Sequence, residues 1–404
     1  MTEIDYRDLE RTGPGTLAGR YLRGFWQPIA RAKDLAPGQA VPVRIMSEDF
    51  TLYRGETLAV RPHPLPAGEG TPNSPTPHLV AFRCAHRGTQ LSVGWVEGDC
   101  IRCRYHGWMY DASGQCVEQP GEDPDFAARV RIRTYPTQEY LGLIFAYLGE
   151  GEAPPLRHFP DFDRPYLLEA GVPEIWPCNY FNRIDNDPGH VPFTHRESTR
   201  RTSGKWDFTA RTVTAKETEY GVMSTASAPG RPAFYIHFHM PNINQTRSVV
   251  RVEGSLEDAQ RLYVDRLFWR LPIDDDHCIS YVVDMLPLTG HEAEAYQERR
   301  RKAEAAEGPS PNEISELIMQ GTMRIEDVDL SVSMYKLFWI EDYVTQVSQG
   351  RRDDRGPDRL ARVDETVILK RKIWERELKA LAEGRPLKQW IEPAGLADMS
   401  AVGA

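Results

Sequence analysis

Two short stretches, Cys84-Ala85-His86-Arg87-Gly88 and Cys103-Arg104-Tyr105-His106-Gly107-Trp108, constrain this chain more than any other feature. The first is C-x-H, the second C-x-x-H, and sixteen residues separate His86 from Cys103. Two thiolates and two imidazoles on two tight loops suit a 2Fe-2S cluster in which the sulfurs hold one iron and the histidines the other. The neutral nitrogens raise its potential above that of an all-cysteine cluster. The same four residues have a competing reading as a structural 2-Cys-2-His zinc site. Cys100 stands close enough to Cys103 to imitate C-x-x-C, but that pairing leaves His86 and His106 without a role. Cys100, Cys116, Cys178 and Cys278 therefore read as small buried hydrophobes.

The rest of the composition narrows the partners. A chain of 404 residues has room for two or three domains. A net charge of -10 argues against a nucleic-acid surface, which needs concentrated Lys and Arg. The opening Met1-Thr2-Glu3-Ile4-Asp5-Tyr6 lacks the basic flank and apolar core of a signal peptide, and no apolar run approaches the roughly 18 residues that span a bilayer. A cytoplasmic protein is expected. No G-x-G-x-x-G follows a strand and no P-loop is present, so a nicotinamide or flavin site is not expected within the chain. A separate NAD(P)H-dependent reductase must then supply the electrons.

From residue 25 to about 150 the text is β-rich. Val41 to Met46, Phe50 to Arg54 and Leu79 to Arg83 alternate between turn residues, as strands of a small sandwich do. Arg61 to His78 contains six prolines with Gly68 and Gly70, and reads as a surface insertion outside any sheet. Tyr110 to Cys116 carries Asp-Ala-Ser-Gly between strand-like flanks and predicts a hairpin. The apolar run Leu141 to Leu148 ends in a Gly-Glu-Gly-Glu-Ala-Pro-Pro linker. These features predict an N-terminal arm over 1–24, a cluster domain over 25–150 and a larger domain over 151–404. In that larger domain, Ile184 to His195 looks helical up to a turn near Pro192. Ala233 to Met240, Ser248 to Glu253, Arg261 to Trp269 and Cys278 to Met285 alternate like antiparallel strands. Ala293 to Ala306, Asn312 to Gly321, Leu337 to Gln349 and Thr366 to Glu383 read as amphipathic helices.

A second constellation lies at Asp187-Pro188-Gly189-His190-Val191-Pro192-Phe193-Thr194-His195. Two imidazoles and one distant carboxylate form the facial triad of non-haem Fe(II) oxygenases, which leaves positions open for dioxygen. Either histidine alone would read as structural; the pairing behind an aspartate, in a chain already carrying a cluster motif, favours a metal. With C-x-H, C-x-x-H-G-W and D-x-x-H-x-x-x-x-H in place, the chain resembles the oxygenase component of Rieske non-haem iron ring-hydroxylating oxygenases. Gly15 to Gly19 before Tyr21 to Pro28, Leu271 to His277, and Glu341-Asp342 followed by Gln349-Gly350 bring it nearest the phthalate-dioxygenase-like branch, which includes aryl-ether O-demethylases.

The resemblance implies an α+β fold: a small all-β Rieske domain plus a catalytic domain whose curved antiparallel sheet is covered by helices in a helix-grip arrangement. It makes Cys84, His86, Cys103 and His106 the 2Fe-2S ligands and His190, His195 and Asp342 the ligands of a mononuclear iron. Asp327 and Asp329 are rivals to Asp342. Asp187 becomes the carboxylate bridging to a cluster histidine of a neighbouring subunit in a homotrimer; Asp185, its rival, otherwise reads as a solvated or capping carboxylate. The chemistry implied is oxygenation of an aromatic compound with dioxygen and reductase electrons, by ring hydroxylation or oxidative O-demethylation. A Rieske electron-transfer protein is the alternative, and the large C-terminal part counts against it. Phe234 to Met240 and Asn242 to Asn244 are the expected pocket strands. His237 and His239 read as hydrogen-bonded structural residues sooner than as ligands. Arg196, Arg200 and Arg201 read as a solvated basic face sooner than as a carboxylate-attracting one.

Overall fold

The polar run before Trp26 folds into two short helices, α1 (Arg7–Glu10) and α2 (Leu17–Arg23). Thr16 caps α2 by accepting the Gly19 amide at 3.1 Å. This arm lies against residues far along the chain. Tyr180 donates its hydroxyl to the Leu9 carbonyl at 2.5 Å, and the Thr12 amide donates to Asp275 Oδ1 at 3.0 Å. The computed structural model describes residues 4–56, 75–186, 191–204, 211–230, 233–251, 261–304, 308–329, 334–393 and 395–396.

Next come strands β1 (Trp26–Arg31), β2 (Ala40–Ile45), β3 (Glu48–Arg54), β4 (Pro77–Ala81), β5 (Trp95–Glu97), β6 (Cys100–Arg102), β7 (Met109–Tyr110) and β8 (Cys116–Glu118). One turn of helix, α3 (Pro124–Ala127), precedes β9 (Thr134–Tyr135), β10 (Thr137–Tyr140) and β11 (Leu143–Tyr147). They pair as three small antiparallel sheets, ordered β1-β11-β10, β2-β3-β4-β9 and β5-β6-β7-β8. The expected hairpin at Tyr110 to Cys116 is present: Asp111 Oδ1 accepts the Ser113 and Gln115 amides, and Gly114 takes φ +82°. Most of the proline-rich stretch, 61–74, lies outside the described residues. Its last two members are not loop as expected: Pro77 and His78 open β4 opposite Arg54 and Tyr53, proline being tolerated at a strand's first residue.

The larger sheet comprises β12 (Leu167–Ala170), β13 (Glu174–Trp176), β14 (Thr212–Glu217), β15 (Gly221–Ser227), β16 (Phe234–His239), β17 (Ile243–Arg251), β18 (Arg261–Pro272) and β19 (Cys278–Leu286). Its order is β12-β19-β18-β17-β16-β15-β14, antiparallel throughout, with β13 also on β19. The polar sequence of β14 and β15 gave no strand signal, and β17 starts at Ile243 rather than Ser248. Helices α4 (Tyr180–Ile184), α5 (Val191–Thr194), α6 (Arg196–Ser203), α7 (Gly290–Glu304), α8 (Pro311–Met319), α9 (Met334–Val347), α10 (Arg352–Arg355) and α11 (Glu365–Ala382) accompany it. The expected helix from Ile184 is not continuous: α4 ends at Ile184 and Asp185 and Asn186 are not helical, while Pro192 marks no turn but sits in the first turn of α5, where its missing N–H costs nothing.

Strand alternation sorts the sheet's side chains onto two faces. Trp269 meets Phe145 and Phe159 at ring separations of 5.6 and 5.9 Å, so that face packs on the N-terminal sheets. Phe238 lies 4.9 Å from Lys370 Nζ of α11, so the opposite face meets the helices. One apolar core runs from Leu9 and Leu143 through Trp269 to Trp374 and Leu378. A second, centred on Tyr53, Val80, Ile101 and Tyr110, belongs to the cluster loops. Among the described residues no helix is long and apolar enough to cross a membrane.

Candidate electron-transfer and iron centres

The two cysteine loops have the same backbone. The Cys84 amide donates to the Thr89 carbonyl at 2.8 Å and the Cys103 amide to the Trp108 carbonyl at 2.8 Å. Gly88 returns a hydrogen bond to the Cys84 carbonyl and Gly107 to the Cys103 carbonyl, both at 3.0 Å, and both glycines take φ +76°. Each loop is braced by the arginine before its cysteine: Arg83 Nη1 donates to the Gly88 carbonyl at 3.0 Å and Arg102 Nη1 to the Gly107 carbonyl at 2.8 Å. The sequence carried this as a repeated Arg-Cys-x-x-x-Gly, a signal beyond the ligand spacing itself.

This symmetry places sulfur inside and nitrogen outside. Cys84 and Cys103 are buried, whereas His86 is exposed and His106 half-buried. The imidazoles lie 4.5 Å apart by ring centroid, and Trp108 stacks on His86 at 4.4 Å and 8°. Burial raises the Cys84 thiol pKa, opposed by the hydroxyl of Tyr110 at 3.1 Å and the His86 amide. Burial, then the neighbouring charges of His86 and Arg87, lower the His106 pKa, which favours the neutral ring that metal ligation needs. Two inward sulfurs and two outward nitrogens on matched loops fit a 2Fe-2S cluster bound two plus two. Tyr110, overlooked in the sequence, holds the site from behind, since its oxygen also accepts the Ala85 amide at 3.1 Å. Cys100 stands outside this arrangement on β6.

The second constellation sits on the helix side of the large sheet. Asp187 and His190 lie outside the described residues. His195 Nε2 is 3.1 Å from Asp342 Oδ1, across from α6 to α9. Two ligands about 2.1 Å from one metal at a right angle stand about 3 Å apart, so this separation fits a shared ion. Burial lowers the His195 pKa, but the hydrogen bond and charge of Asp342 outweigh it and leave the pKa raised. Asp327 and Asp329 are exposed, on and just after a single 3-10 turn at Ile325–Asp327. Among the described residues no group of three or more His, Cys, Asp or Glu side chains gathers for one ion; of the three residues expected to hold the mononuclear iron, His195 and Asp342 are described.

Several candidates have other partners. Asp185 is not solvated: it stands at the C-cap position of α4, and its carboxylate is ion-paired with Arg371 of α11 and accepts the Tyr6 hydroxyl at 3.1 Å. The solvated basic face holds for the exposed Arg196 and for Arg200, whose side chain stays 40% exposed beside Glu197, but Arg201 turns inward, where Glu197 binds it and its Nη2 reaches the Val328 carbonyl at 2.8 Å. His237 and His239 point to the other face of the sheet. Tyr220 Oη bonds His237 Nδ1 at 2.8 Å, and His239 pairs with Gln245 Oε1 at 3.0 Å and Glu392 at 2.6 Å. Cys178 and Cys278 are buried with their sulfurs 3.9 Å apart.

Residues 25–136 match the model of the Rieske [2Fe-2S] domain. Over 398 residues the chain is 27% identical to the 5,5'-dehydrodivanillate O-demethylase oxygenase subunit of Sphingobium sp. (strain NBRC 103272 / SYK-6), covering 96% of this chain and 82% of that one. The chain carries a Rieske domain. It is an oxidoreductase, and the oxygenase component of its system rather than the electron carrier. In fold, this oxygenase is similar to NdmA of Pseudomonas putida CBB5 in a structure with theobromine, at a TM-score of 0.61 and 19% identity over 90% of this chain and 93% of that one. It is also similar to a chain in the oxygenase and ferredoxin complex of carbazole 1,9a-dioxygenase, at a TM-score of 0.59 and 17% identity over the whole of both chains.

Proposed function

We propose that this Rieske oxygenase oxygenates an aromatic compound, by ring hydroxylation or by oxidative O-demethylation, using a mononuclear iron held by His190, His195 and Asp342. The observation that carries the reading is the 3.1 Å pairing of His195 with Asp342 on the helix side of the sheet, for which an electron carrier has no use. When bound, the cluster supplies electrons singly and the iron supplies a site for dioxygen activation. Cys84 and Cys103 hold the buried half of the cluster, and His86 and His106 present its other half at the surface. Asp187 links a cluster histidine of the neighbouring subunit to His190 or His195 and fixes that imidazole's tautomer, as carboxylates behind metal-bound histidines do. That bridge requires a second subunit, which we assign to a homotrimer whose chains divide into an arm over 1–24, a Rieske domain over 25–150 and a catalytic domain over 151–404.

Phe234, Ile236 and Phe238 of β16, Asn244 of β17 and Phe268 of β18 share the helix-facing side by register. The same register brings Thr246 and Arg266 to this face, and aromatic side chains beside a few polar groups suit an aromatic ring bearing a polar substituent. A separate NAD(P)H-dependent reductase, directly or through a ferredoxin, delivers the electrons. The test is aerobic turnover with a reductase against phthalates, benzoates and methoxylated aromatics, scoring formaldehyde against diol. Oxygenated product from any of them supports the reading, and formaldehyde assigns demethylation. Substrate-independent electron transfer with no product from a metal-replete enzyme would overturn it. An Asp187→Asn enzyme retaining both metals is expected to lose turnover; full activity would remove the bridging role.

A further inference from the structure

Between the two described iron-side ligands lies a carboxylate that the reaction does not use. Glu341 precedes Asp342 on α9 and is 1% exposed. Its Oε1 accepts the Glu197 amide at 2.7 Å and the Ser198 amide at 3.3 Å; its Oε2 accepts the Ser198 amide at 3.3 Å and the Ser198 hydroxyl. Glu197 and Ser198 are the second and third residues of α6, whose N-cap position is His195. Their amides are the ones a capping side chain normally satisfies. His195 makes no such bond, because its ring is turned to Asp342, with Phe338 of α9 set edge-on against it at 4.8 Å.

We propose that Glu341 is the positioning residue of the iron site: it caps α6 from α9 in place of His195, and so fixes His195 at bonding distance from Asp342. The cap and the ligand pair are adjacent in both helices, Glu341 beside Asp342 and His195 two residues before Glu197. A shift of α6 along α9 that lengthened one contact would lengthen the other. Freed from capping its own helix, the His195 imidazole is available to a metal. This inference rests on His195 and Asp342 being iron ligands, and its test separates the two ideas.

The experiment is a Co(II) titration of cluster-loaded protein stripped of mononuclear iron, with the cluster absorption and melting temperature recorded for each variant. Glu341→Gln keeps the volume but turns an NH2 group toward the Ser198 amide. Its Co(II) affinity is expected to fall about 10- to 100-fold, as for other residues that orient metal ligands, with cluster content unchanged. Ser198→Ala removes the hydroxyl contact and keeps both backbone bonds, so a loss below about 3-fold is expected. Asp342→Ala is the control. If it abolishes Co(II) binding while Glu341→Gln binds as the wild type does, the positioning role is overturned and the ligand assignment stands. If Asp342→Ala binds Co(II) unchanged, the ligand assignment fails and the proposal with it. A Glu341→Gln protein that melts as the wild type does but binds Co(II) weakly supports positioning over a general loss of structure.

Discussion

With Cys84 as a proposed cluster ligand, Tyr110 is placed to tune the redox centre. Its hydroxyl lies 3.1 Å from Cys84 Sγ, and hydrogen bonds to ligand sulfur stabilise the extra negative charge of the reduced cluster. A net hydrogen bond of about 1 kcal/mol corresponds to roughly 40 mV for one electron. Tyr110→Phe is therefore expected to lower the cluster potential by about that amount, read by redox titration of the visible spectrum, while the cluster is still assembled. An unchanged potential would show that the hydroxyl serves only the Ala85 amide. At this scale the sequence was legible where chemistry repeats itself: Cys84, His86, Cys103 and His106 announce themselves by type and spacing. Tyr110 and Glu341 do not, because a buried tyrosine and a helix glutamate look like any others until the fold brings a thiol or two helix-end amides to them.

At the scale of elements, positive-φ glycines fix the hairpins around the cluster, and they are not equivalent. Gly98 takes φ +62° with nothing within 4 Å of an added Cβ, whereas at Gly114, φ +82°, that atom would sit 2.2 Å from the Ile132 carbonyl oxygen. Gly98→Ala meets only the left-handed penalty of roughly 1–2 kcal/mol. Gly114→Ala meets the same penalty and must also displace backbone, so its loss is expected to be larger, by about 1 kcal/mol or more. Thermal melts followed by cluster bleaching would rank them; equal losses would mean that the loop moves aside without cost. Strands such as β3, β18 and β19 were readable because their apolar alternation is strong. β14 and β15 were not, since Thr212 to Glu217 and Gly221 to Ser227 are polar and hold their place through pairing with each other and with β16.

Across the whole molecule, a buried charged group ties the sheet to the helices. Glu174 of β13, Arg183 of α4 and Arg270 of β18 are all buried. Glu174 stands 3.6 Å from Arg183 and 3.9 Å from Arg270, too far for strong hydrogen bonds, so burial prevails over the arginine charges and pushes its pKa up to about 7. Burial, and then Arg183, lower Arg270 to about 9. A carboxyl group with a raised folded-state pKa contributes stability that is complete below its unfolded value and lost as pH rises to about 7. From 4.5 to about 7 that loss is of order 3 kcal/mol. Glu174→Gln cannot titrate, so its stability is expected to gain on the wild type across that window in urea titrations at several pH values; a constant difference would contradict the raised pKa. Sequence by itself pointed to a 2Fe-2S cluster and to Cys84, His86, Cys103 and His106 as its proposed ligands, because ligand type and loop spacing are local. It also determined the strongly alternating strands and the charged helices. Only the tertiary structure decided that Asp342 rather than Asp327 or Asp329 meets His195, that Asp185 belongs to Arg371, and that His237 and His239 face away from the helices. Each of these depends on which surfaces pack together across more than a hundred residues of chain, or on which face of a strand turns inward. The α6 cap supplied by Glu341 is of the same kind: two helix-end amides and a carboxylate 144 and 143 residues away, joined by the packing of one helix on another.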